Sequence, residues 1–164
     1  MKTLKYHTME SPVGVLKLVA TEKNLLAVLW EREKLAKLEE IEEVNIANRN
    51  QPILRETKKQ LKEYFSAQRI SFNLPLEASG TEFQKAVWQV LAGIPYGVTW
   101  TYKQVAERIN RPQAVRAVGT AIGRNPLSII IPCHRVIGSN GELRGFAGGL
   151  DRKETLLLLE KALP

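Results

Sequence analysis

"TYKQVAERINRPQAVRAVGTAIGRNP", Thr101 to Pro126, reads as two short helices about a tight turn. Thr101 is placed to cap the first helix, in which Val105, Ala106 and Ile109 recur on one side at helical spacing. "NRP" then interrupts, because Pro112 has no backbone N–H and is tolerated only where a helix begins. The second helix is expected to bury Ala114, Val115, Val118, Ala121 and Ile122 and to turn Gln113, Arg116, Ala117, Thr120 and Arg124 outward. This is helix-turn-helix spacing. Such pairs are common and most never touch DNA, so the outward face carries the extra information. Ala117 and Gly119 make the second helix slim enough for its backbone to approach a groove or another chain closely. Arg116 stands among these small neighbours, either as an ordinary exposed arginine or as one that projects into a duplex.

Immediately downstream, "SIIIPCHRVIG", Ser128 to Gly138, holds the chain's single cysteine. "LSIII" has strand-like length and β-branched composition, so it is expected to be a buried strand that Pro132 stops. Cys133 then sits where a rigid element ends. A free thiol has a pKa near 8.5 and needs a proton acceptor or a positive field to act as a nucleophile, and His134 and Arg135 are the nearest candidates. Adjacent side chains on an extended segment point to opposite faces, so a direct Cys133–His134 hydrogen bond requires a local helical turn, or else a bridging water. His134 needs an orienting partner in turn. The last helix offers one: Asp151 and Glu154 have capping-box spacing, "TLLLLE" is apolar almost all round, and Glu160 closes the run. A carboxylate on so apolar a helix either turns outward or is buried against a charge. A lone buried cysteine is itself more often inert packing than chemistry.

The 164 residues, 44% hydrophobic, suffice for one ordinary core or two small ones. One cysteine forms no internal disulfide, and with two histidines it does not readily furnish a four-ligand zinc site. Neither a metal nor a cofactor is expected, since no glycine fingerprint for a dinucleotide follows a strand. The first residues lack a signal-peptide core, and no run approaches the roughly 20 apolar residues of a membrane span. The expectation is a soluble protein of a reducing compartment, cytoplasmic, or nuclear if the source is eukaryotic. The formal charge of +7 is uneven: 13 Lys+Arg face 11 Asp+Glu in residues 1–79, and 11 face 6 in residues 80–164. The second half is also the arginine-rich one, which suits phosphate and base contacts.

Upstream, "LKYHTM", "VLKLVA" and "LLAVLW" alternate as strands separated by turn residues, an antiparallel meander. "EREKLAKLEEIEEV", with Leu35, Leu38 and Ile41 three apart among charges, reads as a solvated amphipathic helix. Pro52 opens another helix with Ile53, Leu54, Leu61, Tyr64 and Phe65 on one side, and "ISFNLPL" is an extended link. "PLEASG" marks a boundary, so an α/β domain over 1–76 precedes a mainly α domain over 77–164. Thr81 caps the first helix of the latter, with Phe83, Ala86, Val87, Val90 and Leu91 inward and Gly93 at its end.

"PCHRVIG" preceded by "GRNPLSIII", with "YKQVA", "RAVG" and "GFAGGLDRKETLLLLE" around it, resembles the O6-alkylguanine-DNA alkyltransferases over residues 80–160. The meander and helix before it are compatible with that family's more variable first domain, which resembles a ribonuclease-H-like fold. The resemblance implies that Cys133 accepts the alkyl group from O6 of a guanine in double-stranded DNA, directly and once per molecule, without a cofactor. It further implies that His134 takes the thiol proton through a water, that Glu160 orients the imidazole, and that Tyr102 protonates the leaving guanine at N3. Arg116 takes the place of the finger that fills the stack when the nucleotide is flipped out, and Asn125 that of the brace between recognition helix and active site. Gln113, Ala117 and Thr120 join Arg116 as DNA contacts, and Arg135 is counted with them. Carbonyls of Cys133 and Val136 would receive the exocyclic amine, the N–H of Ala147 would face O6, and Ile122 and Phe146 would wall the pocket. Phe146 and Ala147 stand where some relatives carry Tyr and Ser, and small Ala147 with Gly145, Gly148 and Gly149 leaves room for alkyl groups larger than methyl. A monomer is expected, with cooperative binding along DNA as a further possibility.

Two other readings compete. In a Cys-His hydrolase the same thiol forms a hydrolysable intermediate, but sequence-adjacent cysteine and histidine disfavour the usual direct pair. A lesion-binding protein without transfer chemistry would not need the cysteine. A regulatory protein of the adaptive-response type would carry an additional cysteine-rich zinc domain, which one cysteine does not provide.

Overall fold

Three strands, β1 (Leu4–Met9), β2 (Leu16–Ala20) and β3 (Leu25–Trp30), run antiparallel in sequence order, as the alternation predicts. The first turn is held by Ser11, whose Oγ donates to the Gly14 carbonyl at 2.7 Å while Gly14 takes φ 99°. The computed structural model describes residues 4–31, 41–44, 46 and 51–163 and divides into two compact units, Met1–Ala78 and Ser79–Pro164.

In the first unit a fourth strand, β4 (Ile41–Glu43), pairs in parallel with the open side of β1, giving the order β3-β2-β1-β4. The amphipathic helix read over residues 31–44 therefore ends differently: 32–40 lie outside the described residues, and 41–43 are strand. The unpaired edge of β1 offers backbone hydrogen bonds that override a modest helical preference. Helix α1 (Pro52–Phe65) starts at its proline and buries Leu54, Thr57, Gln60, Leu61 and Tyr64. It meets the sheet face of His7, whose Nε2 lies 3.5 Å from Lys58 Nζ. On the opposite face Leu4, Val19, Ala27 and Leu29 cluster, flanked by Tyr6 and Leu26.

The second unit is helical: α2 (Glu82–Ala92), α3 (Tyr102–Arg108), α4 (Val115–Gly123) and α5 (Leu150–Leu159). Thr81 and Thr101 cap α2 and α3, each in a reciprocal capping box with a glutamine three residues on. In α2, Val87, Trp88 and Leu91 are buried and Ala86 is exposed. The Trp88 indole crosses to α4 and donates to the Ala121 carbonyl at 2.8 Å. A side chain at Gly80 would meet that indole at 2.5 Å, which is why glycine stands there.

Helix α3 ends in a Schellman motif. Asn110 takes φ 61°, its N–H bonds the Glu107 carbonyl at 3.0 Å, and the Arg111 N–H bonds the Ala106 carbonyl at 2.9 Å. Helix α4 then begins at Val115 rather than Pro112, so Gln113 belongs to the turn, and Val115 is exposed rather than buried. Two further expectations are corrected. Leu127–Ile131 is buried but is a tight turn and not a strand, with Ile129 at φ 73°, a strained value for a β-branched residue. Helix α5 has Gly149 at its N-cap, so Asp151 lies inside its first turn and makes no capping box. Among the described residues no helix is long and apolar enough to cross a membrane.

Candidate active site

Pro132 ends the buried turn, and Cys133–Arg135 coil into a single 3-10 turn. Val136–Ile137 (β6) then pairs in parallel with Trp100–Thr101 (β5), which seats the start of α3, and so Tyr102, beside the thiol segment. The local helical turn removes the alternation of an extended chain. Cys133, His134 and Arg135 are all buried, at 5%, 0% and 6% exposure.

Glu160 arrives from the far end of the unit. It is the C-cap of α5, where Lys161 turns left-handed at φ 58° and the Ala162 N–H reaches back to the Leu157 carbonyl at 2.8 Å. An anion at a helix C-terminus opposes the helix dipole. Arg135 offsets this with a two-pronged contact, Nε to Oε1 at 2.7 Å and Nη2 to Oε2 at 3.0 Å, and its Nη1 donates to the Ile94 carbonyl at 2.7 Å. Arg135 is thus committed to the interior, which corrects its assignment as a DNA contact. Here the carboxylate is buried against charge, the rarer of the two outcomes open to it.

His134 Nε2 lies 2.7 Å from Glu160 Oε2. A carboxylate only accepts, so the proton is on Nε2 and Nδ1 keeps its lone pair. That Nδ1 is buried and has no hydrogen-bond partner among the described residues. Burial pushes the imidazole below its ordinary pKa, more strongly than the Glu160 hydrogen bond raises it, so His134 rests as a neutral base.

Asn125 braces the turn before the thiol. Its Nδ2 donates to the Ile131 carbonyl at 2.9 Å and its Oδ1 accepts from the Leu127 N–H at 2.9 Å, both inside the core. Tyr102 Oη donates to the Arg144 carbonyl at 3.2 Å. Burial raises the pKa of this phenol, and negative charge on Cys133 raises it further.

A cavity of about 930 Å³ opens beside α4, lined among others by Tyr102, Arg116, Gly119, Thr120, Phe146 and Ala147. Arg116, Ala117 and Thr120 are exposed, as is Gln113 in the preceding turn. Phe146 and Ala147 line the cavity, whereas Ile122 and Val136 are buried at 3% and 0% and do not. Nothing in packing explains the slimness of α4: a Cβ at Gly119 would make ordinary contacts of 3.8 and 3.9 Å with Tyr102, and one at Gly123 would meet nothing within 4 Å.

One buried group went unread in the sequence. Lys153 is fully buried, and its Nζ donates to the Arg144 carbonyl at 2.7 Å. The signal was present: Lys153, Leu156, Leu157 and Glu160 follow the i, i+3, i+4, i+7 spacing of a core-facing stripe.

Fold and site together define a class, namely a small sheet unit followed by a helical unit that holds a cysteine, a histidine and a glutamate in one buried series beside an open cavity. Residues 82–162 match the family model described as "6-O-methylguanine DNA methyltransferase, DNA binding domain", and residues 4–78 match "6-O-methylguanine DNA methyltransferase, ribonuclease-like domain". The chain belongs to the 6-O-methylguanine DNA methyltransferase family. It is 50% identical over 156 residues to a methylated-DNA--protein-cysteine methyltransferase of Methanosarcina barkeri, covering 95% of this chain and 96% of the relative. With the constitutive methylated-DNA--protein-cysteine methyltransferase of Bacillus subtilis it shares 42% identity over 153 residues, 93% and 92% of the two chains. The crystal structure of Mycobacterium tuberculosis OGT in complex with DNA is similar, with a TM-score of 0.87, 38% identity, and coverage of 96% of this chain and 93% of that one.

Proposed function

We propose that this chain repairs alkylated DNA by direct reversal, moving the alkyl group from O6 of guanine to Cys133 and keeping it there. Membership of the family and the names of the relatives support the reaction. The observation that carries its assignment to these residues is the buried series Cys133, His134, Glu160, in which His134 holds an unprotonated Nδ1.

His134 takes the thiol proton, through a water, and Glu160 fixes the tautomer that leaves Nδ1 basic. Sulfur attacks the alkyl carbon, the S–C bond forms and the C–O6 bond breaks. The guanine that leaves carries the electron pair and is protonated at N3 by Tyr102. No group restores the thioether, so each molecule acts once.

For recognition, α3 and α4 act as a helix-turn-helix on double-stranded DNA containing O6-alkylguanine. Arg116 enters the stack as the nucleotide flips out, while Gln113, Ala117 and Thr120 face the duplex and Asn125 couples α4 to the active-site turn. Phe146 and the Ala147 N–H border the base, with the Cys133 and Val136 carbonyls receiving its exocyclic amine. The sheet unit, residues 1–76, has the ribonuclease-H-like fold, and residues 77–164 bind DNA and accept the alkyl group. The protein acts as a monomer, cooperatively along DNA, in the cytoplasm.

Intact-mass analysis after incubation with a duplex containing O6-methylguanine tests the reaction. One methyl per chain, mapped to Cys133, is expected. Turnover beyond one equivalent, or transfer by Cys133→Ser, overturns it.

A further inference from the structure

We propose that the buried ammonium of Lys153 is the fixed positive charge beneath the two groups that become anionic in turn, the Cys133 sulfur and the Tyr102 hydroxyl. The inference rests on the alkyl-transfer reading above and adds a positioning residue to it.

The geometry comes first. Lys153 is fully buried on the core stripe of α5, and its Nζ lies 5.9 Å from the centre of the Tyr102 ring. Lys153 Nζ and Tyr102 Oη both donate to one acceptor, the Arg144 carbonyl, at 2.7 and 3.2 Å. The groups facing Lys153 come from several elements: Cys133 and His134 from the 3-10 turn, Tyr102 from α3, and the Arg144 carbonyl from the loop before α5. The Arg144 guanidinium itself is exposed and pairs with Glu142 at 3.2 Å. Among the described residues no carboxylate forms an ion pair with Lys153.

The local charge balance gives this its meaning. Arg135 and Glu160 cancel, and His134 rests neutral. Lys153 is then the net charge of the buried site. An unpaired interior cation is unfavourable unless an anion joins it. Burial pulls the ammonium from 10.5 to about 8, and negative charge on Cys133 is what pulls it back up. Coulombic attraction is mutual, so the ammonium favours the thiolate to the same extent that the thiolate favours the ammonium.

The reaction uses that charge twice. When the thiol proton leaves for His134, the thiolate forms next to Lys153. When S–C bonding releases guanine and Tyr102 gives its proton to N3, sulfur becomes neutral and the phenolate takes over as the anion. Proton return from His134 to Tyr102 through solvent closes the sequence. The Arg144 carbonyl holds the Tyr102 proton beforehand and stays bonded to Lys153 afterwards.

The test uses the full chain with Lys153→Met, which keeps the buried stem, and Lys153→Arg, which keeps the charge. Thiolate absorbance at 240 nm, read against Cys133→Ser, reports ionisation of the single cysteine. Lys153→Met should raise the thiol titration by at least one pH unit, slow single-turnover methyl transfer about tenfold or more at neutral pH, and regain rate as pH rises. Lys153→Arg should titrate like wild type. If Lys153→Met leaves the thiol titration and the shape of the pH–rate curve unchanged, Lys153 merely tethers the loop and the proposal fails. Should Lys153→Met not fold, the side-chain titration of Lys153, followed by NMR, must fall when Cys133 is replaced by serine, and an unchanged value refutes the proposal. A wild-type protein that transfers no methyl overturns the repair reading instead, while the thiol titration still reports on Lys153.

Discussion

Gly119→Ala separates what the fold needs from what DNA needs, because the two respond in opposite directions. Gly119 lies in the middle of α4, where glycine is less favourable than alanine by about 0.8–1 kcal/mol. The added Cβ would stand 3.8 and 3.9 Å from Tyr102 Cδ1 and Cε1, ordinary van der Waals distances that add contact and no clash. The free protein should therefore gain about 1 kcal/mol and melt about 2–4 °C higher for a chain of this size. The same methyl projects into the cavity between Tyr102 and the exposed face of α4. Affinity for duplex, read by fluorescence anisotropy at fixed salt, should fall, and single-turnover transfer from O6-methylguanine should slow by about tenfold or more. A variant that is stabilised yet binds and reacts like wild type removes the argument that α4 is slim for the sake of DNA. A variant that melts lower shows that Gly119 serves packing.

Three further outcomes follow from the buried charges. Glu160→Gln leaves the Arg135 guanidinium buried without its anion and confronts the His134 N–H with an amide, so denaturant unfolding should show a loss of about 3–5 kcal/mol, and methyl transfer should be abolished; a loss under 1 kcal/mol contradicts the buried pairing. His134 has a depressed folded pKa, so the unfolded chain takes up a proton near 6.5 that the folded one resists; its contribution is constant above that pH and stability falls below it, by up to about 1.4 kcal/mol per pH unit. His134→Gln should flatten this acid limb, and an unaltered limb places its origin elsewhere. For Lys153 the window is alkaline: the unfolded chain holds the proton up to 10.5 and the folded one only to about 8, so stability should rise between these values by about 3 kcal/mol. That rise should vanish in Lys153→Met, and its persistence would show that burial is not what holds the ammonium down.

Where local pattern and tertiary packing agree, the sequence is readable, and where they compete it is not. The meander, the helix from Pro52 and the caps at Thr81 and Thr101 are set by neighbours within a few residues, and they stand where alternation and side-chain chemistry place them. Ile41–Glu43 shows the opposite case: its charges and threefold spacing favour helix, but the open edge of β1, more than thirty residues away, supplies the partner. Leu127–Ile131 fails for a related reason. An apolar β-branched run marks burial rather than strand, and here Asn125 folds it into a turn by bonding both its ends, holding Ile129 in a conformation its own side chain disfavours.

At the site, residue type points to thiol chemistry but not to the electrostatics that run it. Cys133, His134 and Glu160 carry legible roles, yet Arg135 looks from its position like a surface cation beside the thiol. Only the return of α5 shows that its guanidinium is consumed by Glu160. Lys153 is hidden for the same reason, since a lysine on an apolar helix ordinarily extends its head to water. The two cations therefore exchange the roles that composition assigns them. The one next to the cysteine is neutralised by its partner, and the one twenty residues away supplies the charge that sulfur meets.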